Sequence, residues 1–412
     1  MRFALSSSAR DRFRLSAQPI QHFRRRLSMP EYYHASVGCS GRTLEKPREN
    51  SIIVHGLGLL PEAEWRRALH AAAAANPGAR LRLVGDSFWA RWVDDAPLPQ
   101  VRVETGWDGR SNKGAEVLYR TQMSLREGRS VELVVLPQPD GHTTLVLRTH
   151  HAVMDGLGTM HFYNEIFRAL RGEPLLGSNA SFSDVELMRS CKVKESTSKH
   201  LPTEAITGEV RGERIGDRWQ VVSLGKPVKN QLAVLAAVLA DYVHQHSDKP
   251  ALIGVPVDLR RHAPGLRTTA NFATMLLVPM HRGDAAEHFR QRLREMLDKR
   301  MEAYFPRIIS IFKLLPLKLV DRLMGRTPGN FAKRKILESI VISNIGKFDP
   351  VPLSAPGFVA EAVWAVPIAG SAMVGLSCVG EEVQMSITVT EERAGDGRFE
   401  DLIAYVRQRF AS

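Results

Sequence analysis

Apolar residues recur along this chain with two periods, and each predicts its own elements. The stretch from Leu59 to Asn76 is predicted to be a helix: Pro61 suits its first turn, Ala71–Ala75 propagates it, and Asn76-Pro77-Gly78 stops it. Alternating or apolar runs follow at Ala79–Val84, Val101–Glu104, Val131–Leu136 and Thr143–Thr149, which predict strands. From Gly158 to Leu170 the spacing of Met160, Tyr163, Ile166, Phe167 and Leu170 is helical, and Gly172 and Pro174 close the segment.

From Ser178 to Asp217 the pattern dissolves into polar sequence, predicted to be a linker or crossover. The mixture then resumes. Gln231–His244 is an apolar helix, Leu252–Val257 and Asn271–Pro279 are strands, and Ala285–Tyr304 is a charged amphipathic helix. Late strands are expected at Ser339–Ser343, Ala360–Val366, Ala372–Cys378 and Val383–Val389, before a final helix over Phe399–Phe410. No repeat at a solenoid period is visible. The expected class is α/β, with mixed sheets in two lobes of similar size. Residues 1–178 form the first lobe, 179–217 the crossover and 218–412 the second.

Composition changes this picture little. The 412 residues are 44% hydrophobic and 24% charged, which excludes collagen, a disordered chain and a disulfide scaffold. Cys39, Cys191 and Cys378 are far apart and form no CxxC or Cys/His ligand spacing, so no structural zinc is expected and a reducing cytoplasm fits. The first sixteen residues lack the apolar stretch of a secretory signal. Phe305–Met324 is apolar but carries five charges, too many for a membrane span. Charge adds more. Residues 1–50 hold 10 Lys/Arg against 4 Asp/Glu, and residues 291–340 hold 12 against 5, so two windows carry the whole net charge of +12. Such fields attract phosphates, acidic proteins or anionic lipid, or else are plain solvated faces. No nucleic-acid signature accompanies them, and no nucleic acid is expected.

The informative chemistry is Thr149-His150-His151-Ala152-Val153-Met154-Asp155-Gly156, directly after the strand TTLVLRT. Successive strand side chains alternate faces, so His150 and His151 point oppositely and only one can face a given cleft. Gly156-Leu157-Gly158 reads as a flexible entry to the next helix. A pair of core-edge histidines bonded to backbone is the bland alternative. His151 and Asp155, four apart, could also be metal ligands, but the glycines argue against a continuous helix and no third ligand has a usable spacing. No metal is expected at the motif.

THHAVMDG resembles the HHxxxDG motif of the superfamily of condensation domains and CoA-dependent acyltransferases. LPEAEWRRALHAAAAANPGARLRL, MSLREGRSVELVVLP, GVPVDLRR, NFATMLLVPM and SNIGKFD resemble further landmarks of that family in order. The resemblance implies two chloramphenicol-acetyltransferase-like lobes in a V, with the motif at their junction. It implies His151 as general base, taking a proton from a hydroxyl or amine acceptor and returning it to the departing thiolate. His150, Asp155 and Gly156 are implied to support the site, with Asp155 paired to an arginine of the other lobe, Arg260 first and Arg261 second. The donor is implied to be acyl-CoA or an acyl-carrier protein with a phosphopantetheine-linked thioester, with no permanently bound cofactor. A monomeric, stand-alone cytoplasmic enzyme of natural-product or lipid biosynthesis is expected. The rival reading is a catalytically inactive homologue that binds carrier proteins.

Two features stay open. Ser343 and Asn344 stand where an oxyanion or tunnel role is conceivable, although Asn344 could equally cap a loop. IISIFKLLPLKLVDRLMG, broken by Pro316, could dock peripherally on a membrane or line an acyl tunnel; packing within the second lobe is the commoner fate. Asn271 in NFATM has no derivable role.

Overall fold

The computed structural model describes residues 15–42, 48–194, 201–211, 216–324, 336–366 and 372–410. Part of each basic window lies outside them, including Lys333, Arg334 and Lys335 of the 291–340 window. Among the described residues, the strands are β1 (Arg25–Arg26), β2 (Glu49–Leu57), β3 (Arg82–Val84), β4 (Arg91–Val93), β5 (Gln100–Val103), β6 (Val131–Pro137) and β7 (His142–His150), followed by β8 (Asp217–Gly225), β9 (Ala251–Asp258), β10 (Ala273–Met280), β11 (Ile340–Lys347), β12 (Val359–Val366), β13 (Met373–Val379) and β14 (Glu382–Thr390). The chain is a mixed α/β protein. One five-stranded sheet runs β12-β2-β7-β6-β5 and one six-stranded sheet runs β10-β9-β11-β13-β14-β8, with a small β1-β4-β3 sheet beside them. Parallel pairs occur at β5/β6, β11/β13 and β11/β9.

Local sequence explains most elements. The helix Glu62–Ala75 buries Trp65, Ala68, Leu69, Ala72 and Ala73 on one stripe, and Pro61 stands at its N-cap. The helix Gln231–Val243 buries its small-residue face against the six-stranded sheet. Three expectations shift. The Ala79–Val84 strand begins only at Arg82, because Pro77–Arg80 form a 3-10 turn. The helix expected to run on to Tyr304 stops at Asp298, because Arg300 takes a left-handed backbone. The polar crossover contains a capped helix, Asp184–Cys191, whose Ser183 and Glu186 form a reciprocal capping box.

The chain does not divide into lobes at a single point. Strand β12, from the C-terminal half, is an edge strand of the N-terminal sheet, with Val363 opposite Val54. The connection between β9 and β10 sends Leu259, Ala263, Leu266, Ala270 and Phe272 into the core of the first lobe. The basic apolar segment also belongs there, not in the second lobe as expected. Leu317 and Val320 are buried in the same core, and Tyr32 Oη, on the helix Met29–Ser36, donates to Leu315 O at 2.6 Å. Asp321 accepts from the backbone N–H groups of Gly38 and Ser40 at 2.9 and 3.0 Å. Among the described residues, no helix is long and apolar enough to cross a membrane.

Candidate active site

The motif strand β7 is central in its sheet, flanked by β2 and β6. Its last residue, His150, is buried, and its Nδ1 accepts the Ala152 N–H at 3.1 Å. The chain then turns: the Val153 and Met154 N–H groups donate to the His150 carbonyl at 2.8 and 3.1 Å. Asn50 Nδ2 holds the far end of the turn through Met154 O at 2.6 Å. Beneath the strand, Arg148 is fully buried against the carboxylates of Glu49 and Glu132. Burial at that depth requires such pairing.

His151 is thereby set on the opposite side from His150. Its backbone N–H donates to Arg48 O at 2.8 Å. Its ring keeps a partly exposed edge on a cavity of about 500 Å³. Tyr33, His34 and Arg48 line that cavity from the N-terminal half, and Pro256, Thr274, Met275, Ser339 and Thr390 from the C-terminal half. The His34 ring stacks on His151, with centroids 4.2 Å apart and planes 11° from parallel. Asn271 Nδ2 donates to the His151 carbonyl at 2.9 Å and lies 3.2 Å from its Nδ1. Burial, reinforced by the Arg48 charge, pushes the His151 imidazole down to about 4, against the opposing pull of a hydrogen bond to its own backbone and of the Asp155 carboxylate. Burial likewise pushes His150 down to about 3, and burial beside His151 holds His34 well below the usual histidine range. All three imidazoles are therefore neutral near pH 7.

Asp155 turns away from the cavity. It is the N-cap of the helix Gly156–Leu170 and is 1% exposed. Its carboxylate accepts from Gly158 N at 2.6 Å, Phe272 N at 2.6 Å, and Arg260 Nη1 and Nη2 at 2.9 and 3.1 Å. Arg260 also reaches Asp258, Thr268 O and Ala270 O. Arg261 goes elsewhere, to Glu302 at 3.4 Å. The pair Asp155–Arg260 thus joins the motif of one half to the β9–β10 connection of the other.

The glycines behave differently from the flexible entry expected. Both lie in the first turn of the helix. A Cβ on Gly156 would meet nothing within 4 Å, whereas one on Gly158 would fall 2.1 Å from Thr269 O. Gly158 is the position where backbone passes backbone. Ser343 and Asn344 lie on β11. Neither lines the His151 cavity, and the exposed Asn344 accepts the Gly346 N–H at 3.0 Å. Asn344 braces a bulge in β11. Nor does any described residue of 305–324 line the cavity.

Sequence reasoning passed over His34, Arg48 and Thr207. Thr207 lines the cavity with a buried hydroxyl that has no partner. None lies in a motif, and Thr207 sits in the polar stretch where no structure was expected. Asn271, which has no role derivable from the sequence, is set on His151 by the structure.

No family model matches the sequence, and no curated protein does. Solved structures do match in fold. One is the starter condensation domain of rhizomide synthetase RzmA, a double mutant in complex with C8-CoA and Leu-SNAC: 14% identity, 95% of each chain covered, TM-score 0.66. Another is the first condensation domain of the calcium-dependent antibiotic synthetase, in complex with a substrate analogue, at 14% identity over 95% of this chain and 96% of that one, TM-score 0.65. A third is the condensation domain of the monacolin K polyketide synthase MokA, at 14% identity over 95% and 99%, TM-score 0.64. The fold of the chain is the two-lobed condensation-domain fold.

Proposed function

We propose that this protein is an acyltransferase of the condensation type. It joins the acyl group of a CoA or carrier-protein thioester to a hydroxyl or amine acceptor, with His151 as general base. The observation that carries this reading is the neutral His151 ring, with one edge open to a cavity built from both halves of the chain. The C8-CoA held by the RzmA domain supports a thioester of that kind as donor.

The chemistry follows from the ring's surroundings. The base role calls for the tautomer with its proton on Nδ1, in which Nε2 keeps the lone pair. Nε2 takes the proton of the acceptor O–H or N–H as that oxygen or nitrogen bonds to the thioester carbon. The tetrahedral oxyanion then collapses, the C–S bond breaks, and the imidazolium returns the proton to the thiolate. Stacking on His34 restrains the ring, and the Asn271 bond holds the backbone that carries it, which favours positioned proton transfer.

The test is thiol release from a panel of acyl-CoAs with hydroxyl and amine acceptors. Removing a general base costs about 10²–10⁴ in rate, so His151→Ala should lose that much while remaining folded. Wild-type turnover in the alanine variant would overturn the mechanism. Absence of release by the wild-type protein with CoA and carrier-bound donors alike would favour a non-catalytic binding protein.

A further inference from the structure

Away from the interlobe cavity, three neighbouring strands of the N-terminal sheet bring together His55 (β2), His142 (β7) and Glu361 (β12). One ligand atom from each lies within 4.8 Å of the others. We propose that these residues form a binding site for a first-row divalent ion, Zn²⁺ foremost, that clamps β12 to β2 and β7.

Register and side-chain direction both support it. His55 pairs with Thr144 and Leu57 with His142, so the two histidines sit diagonally on one face of the sheet. Their rings stack 7° from parallel with centroids 5.0 Å apart, so His55 must turn out of the stack for both in-plane lone pairs to meet one ion. Glu361 is the extra residue of a bulge, where the register of β12 on β2 slips between Ala360 and Ala362. A bulge re-aims a side chain without moving the strand, and here it turns a carboxylate toward the two imidazoles.

The donor atoms are already sorted. His142 Nδ1 lies 3.1 Å from Asp140 Oδ2 but makes no hydrogen bond to it, and its Nε2 lies 3.2 Å from Glu361 Oε2. His55 Nδ1 is engaged by Thr144 Oγ1 at 3.1 Å. His142 thus points Nε2 at the Glu361 carboxylate with the Asp140 charge behind its Nδ1, and His55 keeps Nε2 for an ion while Thr144 holds its Nδ1. Tetrahedral zinc with bonds of about 2.0–2.1 Å holds its ligand atoms roughly 3.3 Å apart. The His142–Glu361 separation already matches. Rotation of the exposed Glu361 and the half-buried His55 side chain closes the remainder. Two imidazoles and one carboxylate suit Zn²⁺ better than Ca²⁺ or Mg²⁺, which favour all-oxygen shells. The strand being clamped is the one the C-terminal half lends to this sheet, so the ion would fasten the two halves together. This inference is independent of the acyl-transfer reading.

The experiment uses the tag-free full chain, stripped with chelator and titrated with ZnCl₂ by calorimetry and with CoCl₂ by visible absorption. The expected result is one equivalent bound, an intense Co²⁺ band of a four-coordinate site and a rise in Tm. Glu361→Gln and His142→Asn should each weaken binding more than tenfold, and Asp140→Asn about 10–100-fold, as for other groups that orient a ligand. Glu361 is exposed, so its glutamine variant tests the idea even if the histidine variants fold poorly. Failure to bind stoichiometrically at micromolar Zn²⁺, or binding that survives Glu361→Gln, would overturn it.

Discussion

Replacing Asp155 tests whether this carboxylate is a structural tie or a chemical group. Every partner of Asp155 is a donor: two backbone N–H groups and both terminal nitrogens of Arg260. Asn has the same shape, but it brings one acceptor and one NH₂ to a shell that offers only donors. At least one N–H then faces another N–H in a site that is 1% exposed. A buried unsatisfied donor costs about 1–3 kcal/mol, and more when a charge is involved. Alanine removes all four bonds and the cap. Breaking a buried ion pair from one side costs about 3–5 kcal/mol. Arg260 keeps Asp258, at 2.8 Å and partly solvated, so the lower end of that range is expected for Asp155→Ala. The assay is equilibrium urea unfolding followed by fluorescence and circular dichroism together. Coincident curves license a single free energy. Asp155→Asn should lose at least about 1 kcal/mol. Adding Arg260→Met to Asp155→Ala should cost less than the two singles summed, since the orphaned charge goes with its partner. If Asp155→Asn unfolds at the wild-type urea midpoint while acyl transfer collapses, the structural assignment is refuted and Asp155 acts in the chemistry.

Three further outcomes are expected. Stability should hold above about pH 6.5 and fall as pH drops toward 4 and then 3. His150 and His151 have folded values near 3 and 4, below the unfolded value near 6.5, so the unfolded chain takes up protons first; a flat profile from pH 7 to 4.5 would contradict this. Gly158→Ala should destabilise by about 1–3 kcal/mol through overpacking on Thr269 O while Gly156→Ala leaves the urea midpoint unchanged, and the reverse order would show the two positions misassigned. KM for the thioester donor should rise with salt while kcat stays level, because the Debye length shrinks from about 10 Å at 0.1 M to 3 Å at 1 M; a salt-independent KM would mean that the basic windows, which carry the whole +12, do not face the donor.

What could be read from the sequence was local. HHxxxDG is a strand end, a turn and a helix cap in seven residues, and the apolar stripe of Gln231–Val243 needs only its own period. What could not be read was pairing over long range. β12 alternates like any half-buried strand, and nothing in VAEAVWAV says that its partner is Glu49–Leu57, some 300 residues earlier. That partner was itself overlooked, because SIIV is a short run bordered by polar residues. Strand β8, DRWQVVSLG, was masked by the polar stretch before it. At the site, Asp155–Arg260 followed from resemblance and from the cost of a lone buried carboxylate. The His34–His151 stack followed from neither. It exists only because the helix Met29–Ser36 is carried to the motif by tertiary packing on Leu315 and Asp321.

The lending of β12 also has a consequence for synthesis on the ribosome. When residue 170 emerges, β2, β7, β6 and β5 are all available, but the outer edge of β2 has no neighbour until residue 366 follows. At about 5–20 residues per second, that edge stays open for roughly 10–40 s. Phe272 and Leu317, which complete the same core, arrive within that interval too. The nascent N-terminal half therefore waits, with a bare strand of SIIVHGL as a template for unwanted pairing, for a chaperone or for its own distant sequence to reach it.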